Sequence, residues 1–471
     1  MTQITPNSSY DAKLDRYCTA MANGTPDTIP IRPFVAEATA NIANMTCQQI
    51  TQDYEKAFEA VRITAKTFDW DAVVPNMVYI WGLIPQVMGS RYYAIPGVGI
   101  DPANCFQYLE PADGAWMLEE EYDELIADPT GYLMNTWLPR TQERLVAPGN
   151  ANTIENNLAW LKGGMAVMQY FTAFGTAVDR LRTECATPSA INGILKSPFD
   201  IIADKFRGYI GLTMDLADNP DTVAKAVDAM MPHMLAVAKG SADPAGILPV
   251  TIWMHRGCVP FINPKQFDSF FWPTLKPIIE ELWADGHQTL FYAEGKWDYH
   301  WDAFLELPAG SIIVHCDRDD VFAAKKKLGH KFAISGGIPN NLLSFGTPDQ
   351  VRSFCKKVIS EVAIDGGYIA DAGAIMQNDT SIENLRVMTD TFREFGGYSR
   401  SAPAPARAPF AVENRDSRFD ACIRAAGSVE PWDGIKQQFA EIVGDESLVK
   451  QSWEGMDAWA YAFLWHMVVS F

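Results

Sequence analysis

The chain has 471 residues, 48% of them hydrophobic and 20% charged, a composition that excludes a disordered or fibrous protein. Its net charge is −20 and no Lys/Arg-rich stripe stands out, so nucleic acids and anionic membrane surfaces are poor partners. The eight cysteines form no CxxC pair, the N-terminus lacks a basic-then-apolar leader, and no run reaches the roughly 18 apolar residues that cross a bilayer. These features predict a cytoplasmic protein without a membrane span.

The first half of the chain is predicted to be mainly helical. Apolar residues recur at nearly helical spacing over residues 50–64, and a short apolar run, 72–74, follows. Residues 91–111 are rich in Gly, Pro and aromatic residues, which predicts hairpins or loops near the mouth of a fold. Residues 152–181 are predicted to form one long helix.

The second half alternates short apolar runs with amphipathic stretches. Strands are predicted at 248–254, 289–293, 311–315, 332–335 and 368–371, and helices at 264–285, 297–307, 321–328, 348–364 and 381–395. Successive βα units of this kind build a parallel sheet and favour a (β/α)8 barrel. No GxGxxG or GxxxxGK[ST] motif follows a strand, which argues against a dinucleotide-binding or P-loop fold.

The chain is predicted to divide into four parts. An N-terminal segment, 1–30, precedes a barrel over 31–396, a Pro/Ala linker over 397–410 and a small helical C-terminal extension over 411–471. The aromatic stretch at the C-terminus is expected to pack on its own domain. The alternative is a subunit contact, and a homodimer is among the predicted assemblies.

The active site of such a barrel lies at the C-terminal ends of its strands, where this sequence places polar residues. Catalytic candidates are Glu294, His255 and Asp371, because His titrates near neutrality and a buried carboxylate must be paired, protonated or metal-bound. Asp371 could equally cap the segment that follows it. Tyr79 lies at the first strand end, and the substrate-binding candidates are Asn76, Trp81, Tyr292, Arg256 and Asn378.

A metal site is a second hypothesis at the same strand ends. Glu294, His315 and Cys316 offer the carboxylate, imidazole and thiolate ligands that zinc prefers, although no compact spacing pattern supports the site. His315 and Cys316 are adjacent on a strand, so their side chains point to opposite faces and at most one readily faces the barrel axis.

Three segments resemble the uroporphyrinogen decarboxylase superfamily, which also contains corrinoid-dependent methyltransferases. They are FDWDAVVPNM, FINPKQFDSFFWPTLKPIIEELWADGHQTLFYAEG and GGIPNNLLSFGTPDQVRSFCKKVISEVAIDGGYIADAG, and the resemblance covers about residues 30–396. It implies a (β/α)8 barrel. The true decarboxylases carry an Arg-Gln-Ala-Gly-Arg motif where this chain has only Ile31-Arg32-Pro33, which argues against haem biosynthesis.

The methyltransferases of the superfamily that act on thiols hold zinc through His-x-Cys-Gly and Pro-Gly-Cys-Gly motifs. At these places the chain has YAEG at 292–295 and AGAI at 372–375, so the His and both Cys ligands are absent. The resemblance is nearer to the methyltransferase branch than to the decarboxylases. It implies transfer of a methyl group from a small donor, for example an aryl methyl ether, to a corrinoid on a partner protein.

In that reaction Glu294 or His255 would protonate the leaving group, and Trp81, Tyr292 and Trp297 would sandwich an aryl ring. Two alternatives stay open. The first is a lyase that decarboxylates a carboxylic acid, with Arg32, Arg256 and Asp371 as substrate contacts. The second is a non-catalytic binding protein on the same fold.

Overall fold

The computed structural model describes residues 9–78, 80–111, 114–147, 149–421 and 424–470, and a parallel β-sheet lies at its centre. Strands β4 to β9 lie side by side in chain order, each parallel to the next. A separate small sheet has the order β2-β1-β3. The strands are β1 Tyr93–Pro96, β2 Gly99–Ile100, β3 Gln107–Tyr108, β4 Ile194–Lys196, β5 Val250–Met254, β6 Thr289–Ala293, β7 Ile312–Cys316, β8 Ala333–Gly336 and β9 Tyr368–Ile369.

Two further segments close the central sheet. Ile31 bridges Ala370 in parallel, just past β9, and the N–H of Asp71 donates to the Ile31 carbonyl. Val73 then bridges Ser189 in parallel, in the stretch that leads into β4. Within the described residues, the hydrogen-bonded circuit therefore runs through eight parallel segments. This arrangement confirms the predicted (β/α)8 barrel.

Helices surround the barrel and also form most of the insertion before β4. The α-helices are α1 Tyr10–Met21, α2 Ala38–Ile42, α3 Cys47–Gln52, α4 Tyr54–Phe68, α5 Leu83–Met88, α6 Tyr122–Ala127, α7 Pro129–Tyr132, α8 Leu138–Thr141, α9 Ile154–Cys185, α10 Pro198–Ile201, α11 Gly208–Asp218, α12 Pro220–Ser241, α13 Pro264–Gln266, α14 Trp272–Ala284, α15 Trp301–Phe304, α16 Val321–Leu328, α17 Asn340–Phe345, α18 Pro348–Glu361, α19 Ile382–Phe395, α20 Trp432–Ile435 and α21 Glu446–Val469. Turns of π-helix lie at Leu133–Trp137, Ile202–Phe206 and Phe267–Phe271, and 3₁₀ turns at Glu119–Glu121, Asp298–His300, Ser417–Asp420 and Lys436–Gln438.

Local sequence explains these elements. Every residue of β5, β6 and β7 is buried, as expected for strands with helices on one face and the barrel interior on the other. The helices that follow begin at capping residues. The Asp320 carboxylate accepts from the N–H of Phe322 at the start of α16, and Thr347 with Gln350 forms a capping box at the start of α18.

A long insertion separates the second and third barrel segments. It contains the small β1–β3 sheet, where the sequence predicts hairpins or loops, and the 32-residue helix α9, where it predicts one long helix. Because the insertion leaves the barrel at the C-terminal end of a strand, its first part lies at the mouth. α9 then returns along the outside of the barrel and packs on α4 and α5.

The C-terminal segment folds back onto the rest of the chain. The 24-residue helix α21 is longer than the two or three short helices predicted there. Trp465 stacks on His233 of α12 with ring centroids 4.5 Å apart, and the Tyr461 hydroxyl hydrogen-bonds the same imidazole. The described residues contain no helix long and apolar enough to cross a membrane.

Candidate active site

A cavity of about 970 Å³ opens at the C-terminal ends of β4 to β7. It is the place where the barrel architecture puts catalytic groups. Its walls combine ionisable side chains from the strand ends with aromatic rings from the insertion and from the loop after β5. The ionisable residues include Lys196, Asp204, Lys205, His255, Arg256, Glu294, Asp317 and Arg318, and the rings are those of Tyr92, Tyr108, Trp116 and Phe261.

His255 stands directly after β5, and a carboxylate orients its ring. The Nδ1 atom lies 2.7 Å from Asp204 Oδ2. Lys196 Nζ lies 3.1 Å from the same carboxylate oxygen and 3.3 Å from Nδ1. An ammonium group only donates hydrogen bonds, so Lys196 and a protonated His255 both donate to Asp204 rather than to each other. The Asp204 carboxylate therefore fixes the His255 ring through Nδ1, and Nε2 remains available to other partners.

Glu294 faces the other side of that imidazole ring. Its Oε2 atom lies 3.5 Å from His255 Nε2, and both side chains are about one-third exposed at the cavity wall. Arg256 completes the group, because its Nε donates to Asp204 Oδ1 at 2.7 Å. Its guanidinium also lies over the Phe261 ring, 4.6 Å from the centroid.

Asp200 fixes the turn on which His255 and Arg256 stand. The carboxylate of this fully buried residue accepts hydrogen bonds from the backbone N–H groups of both residues, at 3.3 and 2.7 Å. The Ser197 hydroxyl caps the same helical turn by accepting from the Asp200 N–H. The turn after β5 is therefore anchored to the helix after β4.

The charges of this group set its protonation. Burial raises the pKa of the Asp204 carboxyl, but Lys196, His255 and Arg256 outweigh burial and hold the pKa well below its ordinary value. Burial and Lys196 lower the pKa of His255, whereas Glu294 and Asp204 raise it, and the net pKa lies above its ordinary value. The arrangement therefore favours the protonated form of His255 next to an ionised Asp204.

The opposite wall is aromatic and carries a second amine. Lys205 Nζ lies 4.7 Å from the Tyr92 ring centroid and 4.5 Å from that of Tyr108. Burial lowers the pKa of this lysine well below its ordinary value. Tyr92 and Tyr108 belong to the small insertion sheet, so the predicted loop region does contribute to the cavity wall.

A second polar cluster fills the barrel interior, one layer below the cavity. Arg32 and Asp371 form an ion pair at 3.5 Å, and both are fully buried. The Asp371 carboxylate also accepts from the Phe34 N–H. His315 stacks on Tyr292 with ring centroids 4.1 Å apart, and its nitrogens hydrogen-bond Ser335 Oγ and the Gly373 carbonyl, each at 3.0 Å.

Several atoms of this interior cluster lack partners. Across the described ranges, no hydrogen bond reaches the guanidinium nitrogens of Arg32, Asp371 Oδ2 or the Tyr292 hydroxyl. Burial raises the pKa of Asp371 to about 7, although Arg32 opposes the shift. Burial, together with Arg32, lowers the pKa of His315 well below its ordinary value. The interior therefore holds a neutral imidazole beside a carboxyl group that resists ionisation.

The barrel register separates the two clusters. Tyr292 pairs with Trp253 on one side and with His315 on the other, so these three residues belong to one layer. His255 and Glu294 each lie two residues beyond that layer and point to the same face of the sheet. The structure therefore brings Glu294, His255 and Arg256 together in the cavity, and it places Tyr292 and His315 beneath them. Asp371 joins the lower cluster through its contacts, because its Oδ2 lies 3.5 Å from Arg32 and 3.9 Å from His315 Nδ1.

Three predicted substrate-binding residues lie elsewhere. The Asn76 amide is satisfied by Val78 and by the Tyr170 hydroxyl. Trp81 packs between Tyr54 and Tyr170, because the chain turns into α5 soon after the strand. Asn378 donates to the Ala103 carbonyl and so fastens a loop of the insertion. Tyr79 lies outside the described residues.

The predicted aromatic sandwich is also wrong. Trp81, Tyr292 and Trp297 are all buried at separate places in the core. The Trp297 indole N–H donates to the Glu294 carbonyl, and its ring packs against Phe271. The rings that reach the cavity come instead from the insertion and from the loop after β5.

The predicted metal ligands do not form a site. Among the described residues, no group of three or more His, Cys, Asp or Glu could hold a metal ion. Both His315 nitrogens are engaged, and Glu294 belongs to the layer above. Cys316 points away from His315, and burial raises its pKa well above the ordinary value, so that it stays a thiol. Zinc therefore does not fit these three residues.

Three residues of the cavity are not predicted from the sequence: Lys196, Asp204 and Lys205. A signal for Lys196 exists, since the short apolar run of β4 ends in Lys and is followed by the helix-start pair Ser197-Pro198. No comparable signal exists for the other two residues. They lie on the π-helical turn Ile202–Phe206, whose extra residue changes which side chains face the mouth.

Comparisons with known proteins agree with this architecture. Residues 161–395 match the family model described as uroporphyrinogen decarboxylase (URO-D). A uroporphyrinogen decarboxylase of Vesicomyosocius okutanii subsp. Calyptogena okutanii is 28% identical over 81 residues, which are 17% of this chain. The matched stretch spans about a quarter, 23%, of that relative's length.

A solved structure extends the agreement to most of the chain. A methyltransferase from Methanosarcina mazei superposes with a TM-score of 0.55 at 13% identity, over 81% of this chain and 98% of that protein. At this identity the likeness shows the fold. The resemblance to the superfamily is confirmed, because residues 161–395 match the uroporphyrinogen decarboxylase (URO-D) family model and belong to a (β/α)8 barrel.

Proposed function

We propose that this chain is a methyltransferase that moves a methyl group from a small donor, such as an aryl methyl ether, to a corrinoid protein. The observation that carries the proposal is the His255–Glu294 pair at the cavity wall, with His255 held by Asp204 and its pKa raised above the ordinary value. A phenolate or alkoxide is a poor leaving group, so ether cleavage needs a proton donor at the oxygen. The fold likeness to a methyltransferase supports the same reading.

The residues of the cavity have distinct roles in this proposal. His255 gives its Nε2 proton to the ether oxygen while the O–CH₃ bond breaks, and the oxygen keeps the bonding electrons. A reduced corrinoid on the partner protein would supply the nucleophile and its electron pair for the methyl group. Asp204 holds the ring through Nδ1, and Glu294 returns a proton to Nε2 from solvent. Arg256 and the tyrosines of the insertion sheet position the donor.

The surroundings of the cavity suit a protein partner. Tyr108 at the wall is 55% exposed. α11 begins at Gly208 on the cavity wall, and its residues Ile210 and Met214 are 73% and 60% exposed. Exposed apolar side chains around a mouth are typical of docking surfaces. Zinc takes no part in the proposal, because the available ligands do not assemble.

The test uses free cob(I)alamin as methyl acceptor and a panel of methyl donors, including 2-methoxyphenol and methylamines. We expect the absorbance of the reduced corrinoid to change only when the full-length chain and a donor are both present. A panel without any such change, repeated with a corrinoid protein as acceptor, would contradict the proposal. His330→Gln is a control because His330 is exposed and lies just before β8, at the end of the barrel opposite the mouth.

A decarboxylase is the second candidate, supported by the cationic groups at the cavity. Lys196 and Arg256 could bind substrate carboxylates, the Lys205 amine could donate a hydrogen bond to them, and His255 could protonate the carbanion that loss of CO₂ creates. Release of CO₂ from a carboxylic acid without any corrinoid would favour this reaction. A non-catalytic binding protein would show neither activity, and the variants Glu294→Gln and His255→Gln would have no turnover to lose.

A further inference from the structure

The long helix α9 carries a stripe of exposed apolar side chains on the side that faces away from the barrel. Ile154, Leu158, Leu161, Met165 and Met168 are 78%, 38%, 59%, 60% and 41% exposed. Their spacing along the helix is four, three, four and three residues, which is the heptad spacing of a helix–helix seam. Solvated helix faces in monomeric proteins are normally polar.

The opposite side of α9 is apolar as well. Ala159, Gly163, Ala166, Val167 and Tyr170 are buried there. A Cβ at Gly163 would lie 2.6 Å from Met88 Sδ and 3.7 Å from Phe463, so the helix packs closely on its own chain. A helix that is apolar on both sides is expected to be covered on both sides. The inner side is covered by α4, α5 and α21, and the outer stripe lacks a cover within the described chain.

We propose that the outer stripe of α9 joins two copies of this chain in an antiparallel helix pair. Leu158 of each copy then packs on Leu161 of the other, and Ile154 packs on Met165. The inference goes beyond the proposed function and does not depend on it.

Charge on the flank of the stripe favours a second copy in this orientation. Glu155 and Lys162 are exposed, stand on the same flank seven residues apart, and take part in no ion pair among the residues described. With the two-fold axis between Leu158 and Leu161, each Glu155 lies beside Lys162 of the second copy. The same contact occurs twice, as a two-fold interface requires.

The stripe replaces the C-terminal segment as the candidate subunit contact. Tyr461, Leu464 and Trp465 of α21 are buried against their own chain. The apolar side of α21 from Tyr461 onward is therefore already used within one copy.

The first experiment measures the association state by sedimentation velocity over a wide range of protein concentration. We expect the wild-type full chain to form dimers, and Leu161→Glu to weaken dimerisation at least about tenfold, since it places two carboxylates in the seam. Leu448→Glu is the matched control, because Leu448 is 61% exposed on α21 and outside the stripe. Circular dichroism verifies that each variant is folded.

The second experiment tests the orientation. Lys162→Glu should weaken the dimer because Glu155 of the second copy then meets a like charge. The double variant Glu155→Lys/Lys162→Glu should restore wild-type association. A wild-type chain that stays monomeric, a dimer that survives Leu161→Glu, or a double variant as weak as Lys162→Glu would overturn the proposal. Binding of anionic lipid vesicles through the stripe, without dimers, would overturn it in favour of a membrane surface.

Discussion

The mouth of the barrel and its interior each contain a histidine and an aspartate, but the pKa values of these residues are shifted in opposite directions at the two places. At the mouth, the pKa of His255 is raised and that of Asp204 is lowered. One layer below, the pKa of His315 is lowered and that of Asp371 is raised to about 7. His255, His315 and Asp371 all stand at or just beyond the C-terminal ends of strands, so residue type and strand position do not separate the two histidines.

The difference lies in the neighbours. Asp204 is surrounded by three cationic side chains, each within 3.1 Å, which stabilise its charge against burial. Asp371 lies beside one cationic side chain, Arg32 at 3.5 Å, and His315 bonds to a hydroxyl and a carbonyl, both neutral. Burial with several opposite charges therefore creates a proton donor, whereas burial with few charges suppresses ionisation.

The largest expected effect is a loss of turnover, and it should distinguish His255 from His315. His255→Gln should lower turnover about 10²- to 10⁴-fold, because the proton donor is lost, while the thermal unfolding temperature changes little. Steady-state rates and melting curves measure both quantities. Wild-type turnover in His255→Gln would assign the proton transfer to another group.

His315→Ala should show the reverse pattern. The ring is fully buried, stacked on Tyr292 and hydrogen-bonded at both nitrogens. Its loss should cost about 2–4 kcal/mol of unfolding free energy, with turnover close to wild type at a temperature where the variant is folded. Denaturant titration gives the free energy. A stable variant without turnover would place His315 in the chemistry instead.

The two aspartates should differ in how stability depends on pH. With a pKa of about 7 when folded, Asp371 retains a proton that the unfolded chain releases near pH 4. Its contribution to stability therefore decreases as pH rises between these values, by at most about 1.4 kcal/mol per pH unit. Asp371→Asn should remove this slope, because an amide does not titrate in this range.

Asp204→Asn is the matched variant for that experiment. The pKa of Asp204 is lowered in the fold, so its stabilisation is present above the ordinary pKa and is lost as pH falls through the lowered value. The variant should be less stable at neutral pH but should keep the slope that Asp371 causes. Equal slopes in wild type and Asp371→Asn would contradict the interior pKa.

The smallest expected effect concerns the alkaline limb of the activity profile. Glu294 raises the pKa of His255, so Glu294→Gln should lower that pKa. Because the protonated imidazole is the active form, activity should then be lost at a lower pH than in wild type. A profile of kcat/KM against pH measures the shift. An unshifted or alkaline-shifted limb would remove Glu294 from the proposed acid pair.

Periodicity predicts the second half of the fold closely. Strand β6 and helix α16 have the predicted bounds, and β5, β7 and β8 differ by one or two residues. These elements are strongly periodic, and each is bounded by turn or capping residues. β4 is harder to recognise, because three residues carry too little pattern to distinguish a strand from a loop.

The site is predicted less well, for a geometric reason. Sequence gives the face of a strand on which a side chain lies, and it correctly separates His315 from Cys316. It does not give the layer of the barrel that each residue occupies. Tyr292 and Glu294 share a face, yet register with β5 and β7 places Tyr292 in the interior and Glu294 in the cavity. The positions of the Asn76 and Trp81 side chains depend on how the insertion folds.

The closure of the barrel through Ile31 and Val73 has a consequence for its hydration. These segments join their neighbours through isolated bridges, whereas β5, β6 and β7 share continuous ladders. Backbone amides at this seam should exchange with deuterium sooner than those of the ladders. Since Arg32 and Phe34 stand on the seam, its transient opening is a route by which water molecules can enter and solvate the guanidinium.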